Sequence, residues 1–389
     1  MDPPGTPADG ELLAWLRLAH SPGLTRAAAR RLLAAYGSAT AVLDAGAGGW
    51  REVGGTEAAQ ALATPALDHD ALGAALQGWL AAETGRRHVI TLGDDAYPAG
   101  LLQTADPPLL LYAHGDVSRL ARPSVAIVGS RHATPAGLEN ARAFAQHLSS
   151  AGLVIVSGLA LGIDGAAHDG ALAGAAMGAA SGGGTVAVVG TGLDRVYPSR
   201  HHALAHRMAA GHGVLVSEYP LGTPPLRENF PRRNRLIAGI SLGTLVVEAA
   251  VQSGSLITAR LAAECGREVF AIPGSIHSPQ ARGCHLLIKQ GAKLVETADD
   301  ILQELPAAVR APTAGAARAA TPAAPPPPAP PAPGDALLAA LGHDPATLDA
   351  LAARTGWPAG ELQARLLELE LQGRVGRLPG GLFQRTGAA

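Results

Sequence analysis

Three stretches of the chain carry residues suited to gripping a charged, ring-bearing ligand. IVGSRHATPAG at 127–137 passes from an apolar run through Gly129 and Ser130 to Arg131, ahead of a helix expected to begin near Pro135. Glycine lets backbone amides approach a ligand, a helix N-terminus favours an anion, and an arginine offers paired donors to a phosphate. An ion pair with a nearby carboxylate is the competing role for Arg131. ENFPRRNRLIAGIS at 228–241 sets a ring and a proline among arginines, directly before an apolar run. Arg227, Arg232, Arg233 and Arg235 there face one acid, Glu228, and Asn234 stands among them. Pro231 suits a first helical turn and would leave Phe230 just ahead of the helix. In that place the ring either staples the helix start or stacks under a base, which contributes roughly 1–3 kcal/mol and tolerates any sequence. VVEAAVQSGSLITAR at 246–260 ends a strand at Glu248 and opens a helix with Ser253, Gly254 and Ser255. Those hydroxyls and free amides seat a phosphate or simply cap a helix. All three stretches fall at the carboxyl ends of expected strands of one sheet. Together they predict a single-stranded nucleic-acid site in which arginines take phosphates and Phe230 takes a base.

Residues for bond-making chemistry are harder to find. SGLALGIDGAAH at 157–168 is a glycine-rich loop entering a helix, with Asp164 near its start and His168 one turn later. A lone histidine after such a loop reads as a hydrogen-bonded structural residue. VVGTGLD at 188–194 has a GxG but Arg195 where a dinucleotide fingerprint needs its third glycine. His201, His202 and His206 read as the solvated face of a helix. No nucleophile with its base, no metal-ligand spacing and no GxxxxGK[ST] motif is present, so the expectation is no catalytic residue, no cofactor and no metal.

These loops need a scaffold, and the chain supplies one. SVAIVG, LVIVSG, TVAVVG, GVLVSE, TLVVEA and EVFAIPG are short apolar runs between 124 and about 305, separated by helical stretches such as LENARAFAQHLSSAG. Such alternation predicts an α/β fold, a Rossmann-like and mostly parallel sheet covered on both faces, with ligands at the carboxyl ends of its strands. Residues 1–85 read as a small helical domain. In it LAHSPGLTRAAARRLLAAYGS and VGGTEAAQAL fit either two helix-hairpin-helix units or a plain bundle with glycine turns. The core, with its leading extension, spans 86–305; a Pro/Ala-rich, semi-rigid linker follows at 306–334; three helices and a hairpin at 335–389 fit a winged helix. Its expected groove helix, PAGELQARLLELELQG, sets Glu361, Glu368 and Glu370 against Arg365, a balance that repels phosphate and favours protein contact or regulation over duplex reading.

Composition narrows the class. The 389 residues carry a net charge of −2, so any polyanion site is local rather than global. Lysine occurs only at Lys289 and Lys293, and the arginine excess reads as coding bias. Cys265 and Cys284 are too few for a secreted disulfide scaffold, and neither a signal peptide nor a membrane span is legible, so the expected compartment is the cytoplasm.

IVGSR, SGLALGIDGAAH, GTGLDRVYP, SEYPLGTPP, FPRRNRLIAGIS, VVEAAVQSGSLITA and VFAIPG, in that order, closely resemble the motifs of the DprA family, also called Smf. The likeness extends over nearly the whole chain apart from the proline-rich linker. It implies a Rossmann-like core that binds single-stranded DNA, usually as a homodimer, protects incoming strands and loads the RecA recombinase during natural transformation. By the resemblance, Arg131, Phe230, Arg233, Asn234 and the Ser253–Ser255 loop are DNA-binding, and Arg227 stands where a basic residue often precedes the phenylalanine. Two rivals remain open. LOG-type nucleotide phosphoribohydrolases share the core at a distance, but their PGGxGTxxE signature has only SLGTLVVEAA as a counterpart, with different spacing to Glu248. A small-nucleotide sensor is the other.

Overall fold

The computed structural model describes residues 9–64, 69–178, 182–306, 333–342 and 345–386. The proline-rich segment therefore lies, but for its ends, outside the described residues. The centre is a nine-stranded sheet. Its strands are β1 (Arg87–Thr91), β2 (Leu110–Gly115), β3 (Ser124–Val128), β4 (Val154–Ser157), β5 (Thr185–Val188), β6 (Gly213–Ser217), β7 (Gly243–Val246), β8 (Glu268–Ala271) and β9 (Lys293–Leu294). The order is β1-β2-β6-β5-β4-β3-β7-β8-β9. Strands β3 to β9 are mutually parallel, and β1 and β2 add an antiparallel edge. Residues 88–120, expected as a strand and turn and then an extended segment leading into the core, supply β1 and β2 and so extend its sheet.

The parallel strands are buried on both faces, as their unbroken apolar runs require. The pleat sends Val125, Ile127, Ile155 and Leu245 to one side, against Ala141, Ala145 and Leu148 of the helix Pro135–Ser150 and Ile163, Ala167 and Ala171 of the helix Ile163–Met177. Ala126, Val128, Val156 and Val246 go to the other side, against Leu236 and Ile237 of the helix Asn229–Ile240 and Ala259 of the helix Gly254–Glu264. Gly170 and Gly174 let the first two helices touch backbone to backbone, since a Cβ at either would strike the carbonyl of Arg142 or Gln146.

Chain order decides where a ligand fits. From β3 the chain winds outward through β4, β5 and β6, then returns to the far side of β3 with β7. The crevice between the carboxyl ends of β3 and β7 is the topological switch point, the place where such sheets bind ligands.

The N-terminal helices gather around Trp15, Leu18, Leu32, Trp50 and Leu62. They are tied to the core by charge: Arg26 bonds both Asp106 and Glu218, and Glu218 also holds Arg235. At the C-terminus the helices Pro333–Leu341, Leu348–Thr355 and Ala359–Leu371 pack with the hairpin β11 (Val375–Leu378) and β12 (Leu382–Arg385), to which the short strand β10 (Ala346–Thr347) adds, in the winged-helix order. No helix among the described residues is long and apolar enough to cross a membrane.

Candidate nucleic-acid interface

At the switch point lies an open cleft of about 810 Å³. Three elements converge on it: the loop after β3, the first turns of the helix Asn229–Ile240, and the loop into the helix Gly254–Glu264.

The β3 loop is held by its own backbone. Gly129 has no room for a side chain, because a Cβ would lie 2.6 Å from Ile163 Cγ1 and 2.9 Å from the Glu248 carbonyl. The Ser130 amide donates to that carbonyl at 2.7 Å, and the Ser130 carbonyl accepts from Ile163 N–H at 3.1 Å. Ser130 is buried and its hydroxyl accepts from His132 N–H at 3.0 Å, so it positions the loop. Arg131 is then thrust into solvent with its guanidinium carbon 5.8 Å from the centre of the Phe230 ring. No carboxylate among the described residues pairs with it, and its donors stay open for a phosphate.

Glu248, the residue nearest in position to a phosphoribohydrolase acid, is committed elsewhere. Its carboxylate accepts from Thr134 N–H at 2.9 Å and Thr134 Oγ1 at 2.5 Å, at the start of the helix Pro135–Ser150. Burial pushes its pKa up, against those bonds. Gly137 is bare because a Cβ there would collide with this carboxylate.

The helix carrying the FPRRNR residues begins at Asn229, one residue before Phe230 rather than just after it. Asn229 is buried, donating from Nδ2 to the Gly190 carbonyl at 3.1 Å, and Tyr219 Oη donates to its carbonyl. The shift puts Phe230 inside the first turn, resting on Gly190 and half-buried at the cleft. The arginines divide. Arg227 is exposed, lines the cleft and has no acidic partner among the described residues. Arg232 is also exposed and unpaired but does not line the cleft. Arg235 is spent on Glu218. Arg233 is only 4% exposed and donates from Nη2 to the Gly158 carbonyl at 2.8 Å. Arg233, one of the expected DNA-binding residues, thus borders the cleft as part of its floor rather than as an exposed side chain. Gly158 must be glycine, since a Cβ would overlap that guanidinium.

Asp164 also borders the cleft; it is buried and accepts from the amides of Gly158 at 3.1 Å and Ala160 at 3.2 Å. Burial raises its pKa, with the Arg233 charge opposing that rise. Burial lowers the pKa of Arg233 to about 10, with Asp164 opposing it. His168, also fully buried, bonds Thr185 Oγ1 through Nδ1 at 2.7 Å and is pushed down to about 3 by burial, so it is neutral and structural. The three neighbouring histidines do not form one solvated face. His202 and His206 are exposed, whereas the His201 ring is half-buried and bonds the Leu159 carbonyl at 2.9 Å.

On the third side Ser253 caps the helix Gly254–Glu264, its Oγ accepting from Ser255 N–H at 3.3 Å and meeting Ser255 Oγ at 2.7 Å. Gly254 faces open space, and its carbonyl accepts from Asn234 Nδ2 at 3.3 Å. Gly129, Ser130, Arg131, Arg227, Phe230, Arg233, Asn234, Ser253, Gly254 and Ser255 thus all border one cleft; Arg232 alone of the expected residues does not. Sequence reasoning missed Asp164 and Gly158 as the support under Arg233, and Tyr197, whose ring centre lies 5.5 Å from that of Phe230. The signal for Tyr197 was available: an aromatic in a chain with 3% aromatics, in the loop after a strand of the same sheet.

Comparison with known proteins adds a second line. A family described as DNA recombination-mediator protein A matches residues 88–306, and one described as DprA winged helix domain matches 321–381. Protein Smf of Escherichia coli (strain K12) is 43% identical over 304 residues, 78% of either chain. The DNA processing protein DprA of Streptococcus pneumoniae (strain ATCC BAA-255 / R6) is 48% identical over 211 residues, 54% of this chain and 72% of the relative. The crystal structure of Streptococcus pneumoniae DprA matches with a TM-score of 0.63 at 36% identity, covering 78% of this chain and 99% of that one.

Proposed function

This chain belongs to the DNA recombination-mediator protein A family, DprA or Smf, and from that premise we propose that it holds single-stranded DNA and hands it to RecA. The observation that carries the reading is the pairing at the cleft of two uncompensated arginines, Arg131 and Arg227, with the half-buried ring of Phe230. Cations without carboxylate partners bind phosphates and release counterions; a ring at the same site takes a base face of any identity. The helix start at Ser253–Ser255 adds two hydroxyls and a helix N-terminus at the same cleft. The site holds a strand without altering it: Glu248 caps a helix, His168 is neutral in the core, and Asp164 is taken up by the Gly158 and Ala160 amides. The winged helix serves protein contact or regulation, because Glu361 and Glu370 on its third helix offer no welcome to a duplex.

The protein acts in the cytoplasm as a homodimer, in which two clefts on one strand raise each other's effective concentration. An apolar cleft beside the helix Gly254–Glu264, bordered by exposed Val251 and Leu286, is a surface that a second copy would cover. The recombinase role follows from the family and fits natural transformation. The test is anisotropy with a labelled oligo-dT and the matching blunt duplex over a range of salt. Single strands should bind more tightly, with log affinity falling against log salt by about 0.7 per phosphate contact. Equal affinity for the duplex, or no salt dependence, overturns the reading. RecA delivery is tested separately, by the rate of RecA filament formation on strands coated with single-strand binding protein.

A further inference from the structure

Tyr197 is the only Phe, Tyr or Trp among the described residues that is more than a third exposed, at 47%. Burial claims most large rings of this chain, and tyrosines at depth use their hydroxyls: Tyr97 Oη donates to the Pro108 carbonyl, Tyr112 Oη meets His20, and Tyr219 Oη donates to Asn229. Tyr197 has no hydrogen-bond partner for its hydroxyl among the described residues. It nevertheless stands at a fixed place. Its loop is tied down by Gly192 N–H donating to the Thr223 carbonyl at 3.1 Å and by Gly222 N–H donating to Asp194 Oδ1 at 2.8 Å. The ring borders the cleft and leans on Phe230, with centres 5.5 Å apart and planes tilted by 37°. Arg131 approaches the same Phe230 ring at 5.8 Å.

We infer that Tyr197 is a second base-contacting residue of the cleft, taking the nucleotide next to the one on Phe230. This rests on the single-strand reading of the site. The spacing decides the mode. A base slotted between two rings holds them roughly 7 Å apart, twice the 3.4 Å stacking rise of a strand. At 5.5 Å and tilted, Tyr197 and Phe230 leave no slot; they form one continuous apolar shelf with a change of angle in its middle. Two neighbouring bases lie on that shelf, one per ring, while the Arg131 guanidinium at the Phe230 end takes a phosphate. The free tyrosine hydroxyl adds a donor at the outer end. The consequence is a site that reads two adjacent nucleotides by their faces alone, which strengthens binding without selecting a sequence.

The experiment compares Tyr197→Ala, Tyr197→Phe and Tyr197→Leu in the full chain, with anisotropy of a labelled oligo-dT, its salt dependence, and the melting transition of each variant. The alanine variant should lose roughly 5- to 150-fold in affinity, the range for one lost base stack. Its salt slope should match the unmodified protein, since no phosphate contact is removed, and its melting transition should stay in place. The phenylalanine variant should bind within about threefold of the unmodified protein, and the leucine variant, which still props Phe230 but offers no ring face, should fall with alanine. Leucine binding like tyrosine, or alanine binding within twofold while Phe230→Ala collapses, refutes the second contact and leaves the single-strand reading standing. If the unmodified protein fails to bind oligo-dT, the parent reading fails instead.

Discussion

Replacing Arg233 by methionine separates a floor from a contact. Methionine keeps much of the side-chain volume but removes the charge and the 2.8 Å bond to the Gly158 carbonyl. It also takes away the cation that opposes Asp164's burial, leaving its carboxylate to the amides of Gly158 and Ala160 and the Ser157 hydroxyl. Arg233 and Asp164 are not in ion-pair contact, so the loss is chiefly a charge-assisted hydrogen bond to a buried carbonyl, worth about 1.5–3 kcal/mol. For a core of this size each kcal/mol moves the melting temperature by roughly 2–4 °C, so the variant should melt roughly 3–12 °C lower. Calorimetry is the assay of choice, because it reads the unfolding of the whole core directly.

The deficit should also depend on pH, with a definite sign. The Asp164 carboxyl is raised above its ordinary value of 3.8 by burial, and Arg233 works against that rise. Without Arg233 the native carboxyl holds its proton to still higher pH than the unfolded chain does. The native state then binds more protons across that window, so stability falls as pH rises through it. The methionine variant should be nearest to the unmodified protein in acid, where Asp164 is protonated in both, and fall further behind as pH rises through the carboxyl's raised range. Asp164→Asn added to Arg233→Met should recover part of the loss, since the amide oxygen still accepts from both backbone N–H groups without a buried charge. A methionine variant that melts within about 2 °C of the unmodified protein, yet binds oligonucleotide tenfold more weakly, would mean that Arg233 is a surface contact after all.

Arg131→Ala and Arg227→Ala should each lower single-strand affinity and reduce the salt slope by about 0.7, with the melting transition unmoved, because neither side chain has an internal acidic partner. Arg232→Ala, outside the cleft lining, should change affinity less than twofold in the same titration. Phe230→Ala should cost roughly 1–3 kcal/mol of oligonucleotide binding, read by anisotropy, and slow RecA filament formation in parallel. A chain ending at Pro312 should keep most single-strand affinity, since every residue bordering the cleft precedes it; loss of nearly all binding would assign the site to the winged helix.

Much of the scaffold was legible because the parallel strands leave no freedom of reading. Runs such as VAIV at 125–128 and LVIV at 153–156 are apolar at every position, and only a sheet covered on both faces buries both halves of the pleat. The edge formed by β1 and β2 was less so: RHVIT mixes polar and apolar residues, and its place is set by pairing with β2 rather than by its own pattern. The cleft was legible in its membership but not in its division of labour. Four arginines close together read as one basic patch when residue type is the guide. Spacing says otherwise. From Asn229, the positions 229, 233, 236, 237 and 240 recur at helical intervals along the stripe that faces the sheet, and all but the last are fully buried. Arg233 occupies that stripe beside Leu236 and Ile237, so its burial follows from its register. Phe230 and Asn234 fall four apart on the neighbouring stripe, the one that borders the cleft, and Arg227 joins them from the turn before the helix. The start of the helix is what sorts them, and the sequence hid it: Pro231 marks a first turn but does not say which of its positions it fills. With the start fixed at Asn229, an arginine among apolar neighbours becomes a demand for a buried acceptor. The Gly158 carbonyl, in the glycine loop after β4, meets it, and the Asp164 charge near the same loop opposes the cost of burial. The basic motif is therefore two devices on one helix, a stripe that touches the ligand and a stripe that holds the floor in place.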